Sequence, residues 1–285
     1  MSIVVTGATG KLGRHVVESL LERGLPASEI TAVGRSTDRI GDLAARGVNV
    51  VAANYHDAAS LDAAFAGADK VLLVSSSDFD DRAGQHRTAI EAAALAGIGH
   101  LVYTSAPKAT TTSMLLAADH RATEEAIAAS GLTSTILRNG WYVENYTAQL
   151  PTYLEHGMVG AAGNGRVSLA LRSELAEAAA AVLAGEGHEG KIYELGGEAI
   201  TLTELAALLS SAAGQSISYT DVPVATLTGI LVGAGVPAPL AEVFADIDRA
   251  IADGELEVDP KDLETLLGRT ATSVTDAVKI AVAAL

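Results

Sequence analysis

Short β-branched runs alternate with amphipathic segments through the first half of the chain. Ile3–Thr6, Ile30–Gly34, Val48–Ala52, Lys70–Ser75, His100–Ser105 and Ser134–Arg138 have the character of buried strands. Helical stretches lie between them at Lys11–Arg23, Thr37–Arg46, Ser60–Ala66, Ala83–Ala96 and Asp119–Ser130. Strands separated one by one by helices predict an α/β fold with a parallel sheet covered on both faces, because parallel neighbours need a crossover connection. In the first helix Leu12, Val16, Val17, Leu20 and Leu21 form one stripe, as packing on a sheet requires.

Beyond Trp141 the rhythm changes. A helix is expected over Glu144–His156, then a glycine-rich turn region, "GMVGAAGNGRV", over 157–167, and a helix over Ser173–Ala184. "KIYELGG", residues 191–197, reads as a strand and a stop. Thr201 and Glu204 have the spacing of a capping box, and the remainder to Leu285 is mainly helical and alanine-rich. Val222–Ala241 holds no charge and is about as long as a spanning helix. Pro223, Gly229, Gly233, Gly235, Pro237 and Pro239 interrupt it, so a broken helix pair, buried or interface-forming, is expected instead.

Composition narrows the function classes. The chain has 285 residues, 49% hydrophobic and 19% charged, as in soluble globular proteins with a substantial core. Its 19 basic and 35 acidic residues give a net charge of −16, which opposes partners such as nucleic acid or an anionic membrane. Cysteine is absent, which removes disulfides, thiolate catalysis and thiolate metal sites, and no metal is expected. Thr6-Gly7 cuts the first apolar run short of a signal-peptide core, and a cytoplasmic location is expected.

"TGATGKLG", residues 6–13, follows the first strand. The Gly10-Lys11 pair hints at a nucleotide P-loop, but Leu12 stands where the magnesium-binding hydroxyl belongs and Val5 where the upstream glycine belongs. Gly7, Gly10 and Gly13 fit a dinucleotide loop instead: a tight turn, close approach to a pyrophosphate, and a helix seated near the sheet. At the end of the second strand Arg35 replaces the acidic residue that meets a free ribose 2′-hydroxyl, and Arg39 lies one turn on. Guanidinium groups suit a 2′-phosphate, so NADP(H) is preferred over NAD(H). Were both arginines only solvated surface groups, the cofactor would stay open.

"TGATGKLG", "VGRSTDR", "LLVSSS", "QHRTAIEAAALAGIGHLVYTS", "ILRNGWYVENY" and "EGHEGKIYELGG" together resemble the NmrA-like atypical short-chain dehydrogenases. Within these the similarity points to the branch of bacterial NAD(P)H:quinone oxidoreductase type 2 and triphenylmethane-dye reductases, and extends to "GVPAPL" and "KDLETLLGR". The resemblance implies a Rossmann-like doubly wound sheet from residues 1–140 plus about 166–198, and a smaller, mainly helical substrate lobe from about 141–165 plus 199–285. It implies cofactor contacts from Gly7, Ala8, Thr9, Gly10, Lys11, Leu12, Gly13, Arg35, Arg39, Ser75, Ser76, Ser77, Arg82, Asn139, Gly140, Trp141, Tyr142 and Arg172. Asn54 stands where relatives often carry Asp near the adenine.

Short-chain dehydrogenases usually protonate an alkoxide with Tyr assisted by Lys four residues on. "SMLLAADHRATEEAI" has neither, with His120 near the expected lysine, so that carbonyl chemistry is not expected. Tyr103 sits within a strand and reads as packing, and His86 as structural. A quinone asks for less, since the hydroquinone anion takes a proton from water and positioning supplies much of the rate. Trp141 and Tyr142 are expected to border the nicotinamide and a planar substrate, with Asn139 orienting it and His120 a candidate proton donor or hydrogen-bond partner. The blander alternatives are an aromatic pair packing the lobe junction and a solvated helix histidine. Two functions stay open: a quinone reductase, or a non-catalytic NADP(H)-sensing regulator. The uncharged stretch from Val222 leaves room for a homodimer.

Overall fold

The computed structural model describes residues 1–78 and 81–283. In the first half, β1 (Ile3–Val5), α1 (Lys11–Glu22), β2 (Ile30–Gly34), α2 (Gly41–Ala45), β3 (Asn49–Ala52), α3 (Ala58–Phe65), β4 (Lys70–Leu73), α4 (Arg82–Leu95), β5 (His100–Ser105), α5 (Ala117–Ser130) and β6 (Ser134–Asn139) follow in turn. These strands, joined at one edge by β10 (Ile192–Leu195), make a seven-stranded parallel sheet in the order β10-β6-β5-β4-β1-β2-β3. The order reverses direction between β1 and β4, which opens a crevice at the carboxyl ends of those strands.

Alternate strand positions feed two cores. Ile3, Val5, Ile30, Ala32, Leu72, Val102 and Leu137 pack with the α1 stripe and with α8 (Arg172–Ala184). Val4, Val33, Val71, Leu73, Leu101, Tyr103 and Ile136 pack with Leu61 and Phe65 of α3, Ile90 of α4 and Ile127 of α5. Burial on both faces explains why these strands read as continuous apolar runs.

The second lobe has its own core. Its strands are short: β7 (Trp141–Tyr142), β8 (Met158–Gly160), β9 (Arg166–Ala170), β11 (Glu198–Thr201) and β12 (Tyr219–Asp221). They form a three-stranded sheet β11-β9-β7 and a parallel pair β12-β8. Strand β9 thus pairs within this lobe, and the chain rejoins the large sheet at α8 and β10. Helices α6 (Glu144–Thr147), α7 (Leu150–His156), α9 (Leu202–Ala213), α10 (Val224–Gly233), α11 (Ala238–Ala252), α12 (Lys261–Leu267) and α13 (Val274–Ala283) complete the chain.

Three expectations are revised here. Glu144–His156 is two helices, with Pro151 in the first turn of the second, where a missing N–H costs nothing. The glycine-rich segment 157–167 contains β8 and the start of β9. Its glycines make room: a Cβ on Gly165 would lie 2.1 Å from the Ile251 carbonyl oxygen, and one on Gly160 2.7 Å from Asp248 Oδ2. Thr37–Arg46 is a 3₁₀ turn followed by the short α2. The uncharged stretch does break into a helix pair, α10 and α11, with Gly235 in the left-handed region between them. It is largely exposed rather than buried, with Ile230 at 44% and Val232 at 43% accessibility. Among the described residues no helix is long and apolar enough to cross a membrane.

The capping box at α9 is complete: Glu204 N–H donates to Thr201 Oγ1 at 3.1 Å, and Thr201 N–H to Glu204 Oε2 at 2.8 Å. Thr201→Ala is therefore expected to cost about 1 kcal/mol, read as a shifted denaturation midpoint with an unchanged slope.

Candidate functional site

The crevice is built from strand ends. Thr6 continues β1 and ties the centre together: its N–H and hydroxyl both donate to the Leu72 carbonyl, and its Oγ1 accepts the Val74 N–H at 3.0 Å. Gly7 then turns the chain in the left-handed region, at a φ of 62°, where a side chain would be strained. Gly10 N–H closes the turn on the Gly7 carbonyl at 2.9 Å. A Cβ on Gly13 would lie 2.5 Å from that same oxygen, so α1 can rest on the turn only without a side chain there. Gly34, ending β2, lies against the Thr9 side chain, its Cβ position 2.4 Å from Thr9 Cγ2.

Helix α1 has no side-chain cap and no acidic residue in its first turn. Its leading N–H groups and positive dipole end therefore face the crevice, an arrangement that attracts a phosphate. The cleft holds about 500 Å³. Gly7, Thr9, Gly10, Lys11, Leu12 and Gly13 line its floor, Arg35 and Arg39 the side of β2, Ser75, Ser76 and Ser77 the end of β4, and Tyr142 and Arg172 the side of the second lobe.

Lys11, Arg35 and Arg39 are exposed, and none forms a salt bridge among the described residues. One acid of the following segment is engaged elsewhere. Asp42 pairs with Arg14, which holds the carboxyl below its ordinary range, and Arg14 also reaches Glu18 at 2.9 Å. Three uncompensated cations around one cleft, in a chain of net charge −16, mark an anion site.

At the opposite side the Arg172 guanidinium sits 4.8 Å from the Tyr142 ring centroid, a cation–π contact. Glu144 accepts the Arg172 backbone N–H at 3.0 and 3.2 Å, which fixes the start of α8. Asn139 Nδ2 donates to the Tyr142 hydroxyl at 3.4 Å, and its Oδ1 is buried with no partner among the described residues. Burial pushes the Tyr142 phenol upward, so it keeps its proton.

Some residues named from the sequence stand behind the cleft wall rather than in it. Ala8 is fully buried, its N–H bound to the Val33 carbonyl. Arg82 is buried on α4 and donates from Nε to the Ser76 carbonyl at 2.7 Å. Gly140 permits close packing on β10, where a Cβ would lie 2.6 Å from the Leu195 oxygen, and Trp141 packs against the core of the second lobe. His120 is buried, with Nδ1 2.8 Å from the Tyr103 hydroxyl, and burial lowers its pKa to about 3. It is neither a solvated histidine nor part of the cleft lining. Tyr103 is fully buried core.

Other lining residues were not among the expected contacts, although Thr6, Val33, Val74 and Gln85 fall within the quoted motifs. Thr6, Val33, Tyr55, Leu61, Val74 and Gln85 enter from strand ends and neighbouring helices, so only the sheet order brings them in. Asn54 also lines the cleft, but its side-chain oxygen is engaged by the His56 N–H at 3.2 Å.

The model of the NmrA-like family matches residues 1–275. Quinone oxidoreductase 2 of Escherichia coli (strain K12) is 45% identical over 278 residues, which cover 97% of each chain. The crystal structure of an E. coli NADPH-dependent quinone oxidoreductase complexed with NADPH superposes with a TM-score of 0.93 at 44% identity, covering 98% of this chain and 99% of that one. A Citrobacter sp. triphenylmethane reductase complexed with NADP(H) gives a TM-score of 0.91 at 39% identity, covering 98% and 100%.

Gly13→Ala puts a methyl group against backbone that has no rotamer to yield. It is expected to weaken dinucleotide binding by about tenfold or more and to destabilise the fold by about 2 kcal/mol, measured by fluorescence titration and chemical denaturation.

Proposed function

The chain belongs to the NmrA-like family, and from that premise we propose that it is an NADPH-dependent oxidoreductase reducing a quinone or a similar planar acceptor. The observation that carries the cofactor half is the cleft of uncompensated cations around an uncapped helix N-terminus. These groups fit a dinucleotide: the first turn of α1 and Lys11 take the pyrophosphate, and Arg35 with Arg39 the 2′-phosphate. The reduced nicotinamide supplies the hydride, and quinone plus hydride plus a proton gives the hydroquinone.

The protein's own contribution is placement. Arg172 stiffens the Tyr142 ring from one face, leaving a flat apolar wall at the second-lobe side of the cleft. The neutral Tyr142 hydroxyl accepts from Asn139 and keeps its own proton to donate to an acceptor oxygen. Asn139, buried and outside the cleft lining, acts through the Tyr142 hydroxyl that it holds from behind. With His120 held neutral behind the wall, the proton comes from water.

We also propose that a second copy covers the exposed face of α10. Two chains of charge −16 can meet there without opposing like charges, because 222–241 carries none. Sedimentation is expected to show a dimer that Ile230→Lys dissociates; a wild-type monomer at assay concentration contradicts this.

Steady-state oxidation of NADPH and NADH, with and without a small benzoquinone, tests the function. Acceleration over the enzyme-free reaction and a preference for NADPH are expected; cofactor binding without acceleration would leave a sensor. Arg35→Asp is expected to reduce the NADPH-over-NADH ratio of kcat/KM by about tenfold or more, since a charge-assisted bond is replaced by repulsion. Tyr142→Phe retains the stacked ring and is expected to lose kcat with little change in quinone KM, whereas Tyr142→Ala raises that KM as well.

A further inference from the structure

The turn Ser75–Ser77 faces the glycine loop across the cleft, and Val74 just before it touches the space over Gly7, where a Cβ would lie 3.2 Å from Val74 Cβ. The position of this turn therefore sets the width of the cofactor cleft. Its backbone is held from behind. Ser75 N–H donates to Thr104 Oγ1 at 2.8 Å, Ser76 N–H to His86 Nε2 at 2.9 Å, and the Ser76 carbonyl accepts from Arg82 Nε at 2.7 Å.

His86 is fully buried on α4, so no water can replace it. A ring nitrogen that accepts a backbone N–H must carry its lone pair, which puts the single ring proton on Nδ1. Nδ1 lies 2.9 Å from Thr123 Oγ1, and that hydroxyl donates onward to the Asp119 carbonyl at 2.7 Å. Three donations thus run in one direction, from the Ser76 amide through the imidazole and the Thr123 hydroxyl into α5. A chain with aligned donors strengthens each bond and leaves only one tautomer that satisfies every group.

The groups around the ring reinforce this. Arg82 lies one turn away on the same helix, the Tyr103 ring 5.4 Å off on β5, the Tyr55 ring 6.1 Å off, and His120 on α5 is neutral. Burial first, and the Arg82 charge second, lower the His86 pKa to about 3. A protonated ring would set donor against donor at Ser76.

We propose that His86 is a positioning residue for the cofactor: locked as the neutral Nδ1–H tautomer between Ser76 and Thr123, it fixes the Ser75–Ser77 wall and so sets the affinity for NADPH. The inference rests on the cofactor reading above.

Direct NADPH titration of the wild-type protein, His86→Gln and His86→Leu tests it, with kinetics and ring-nitrogen NMR. The glutamine oxygen reaches the place of Nε2 and accepts the Ser76 N–H, while leucine fills the space but accepts nothing. The leucine variant is expected to bind NADPH about tenfold more weakly and the glutamine variant within about threefold of wild type, with quinone KM unchanged in both. The wild-type ring is expected to show an unprotonated Nε2 throughout about pH 5 to 8.

Unchanged NADPH affinity in the leucine variant, equal losses in both variants, or a ring that titrates in that range overturns the proposal. Should the leucine variant fold poorly, the glutamine variant and the wild-type nitrogen spectrum decide. Failure of the wild-type protein to bind NADPH would instead defeat the cofactor reading.

Discussion

The contact between Gly13 and the Gly7 carbonyl is the constraint on which the site depends. With 2.5 Å between that oxygen and the place of a Cβ, α1 can start directly on the turn that ends β1. The helix then presents an uncapped N-terminus at the point where the strand order reverses. Two independent features of the fold, a switch point and a dipole end, are brought to one place by the absence of one side chain. Close approach recurs at Gly34 against the Thr9 side chain and, behind the cleft, at Gly140 against the Leu195 carbonyl.

Charge sets the cleft apart from the rest of the chain. In a chain of net charge −16, Lys11, Arg35 and Arg39 line the cleft without a salt bridge among the described residues, and Asp42 is taken by Arg14. A buried network stands behind the second-lobe side. Arg138 forks onto Glu124 at 3.0 and 2.6 Å and reaches Glu194 at 2.9 Å, and these bonds raise its pKa further. The pair is enclosed with its hydrogen bonds made, the condition under which breaking one member is costly. It anchors β6 one residue before Asn139, so the strand end that carries this residue is rigid.

Much of this was legible in the sequence, for physical reasons. Strands buried on both faces announce themselves as apolar runs, and Ile30–Gly34 and His100–Ser105 match the structure residue for residue. The glycine loop was legible because backbone geometry restricts residue type, and Arg35 and Arg39 line the same cleft, as their place after the second strand led one to expect. The second lobe was less so. Strands β7, β8 and β12 have two or three residues each and exist only through distant partners, such as Met158 with Tyr219. His86 and His120 look alike in sequence, yet each makes its contacts through sheet neighbours that spacing along one helix does not reveal. Tyr55 and Gln85 reach the cleft by the same route.

In the proposed function the cleft holds NADPH so that its hydride passes to a planar acceptor placed by Tyr142, with Asn139 behind it. The most direct measurement is a single turnover: protein saturated with NADPH, deuterated or not at the transferred position, is mixed rapidly with a benzoquinone. Hydride transfer within the cleft requires decay faster than the enzyme-free reaction, slowed by deuterium and saturating with quinone. Bound NADPH that decays at the enzyme-free rate, without saturation, would contradict it.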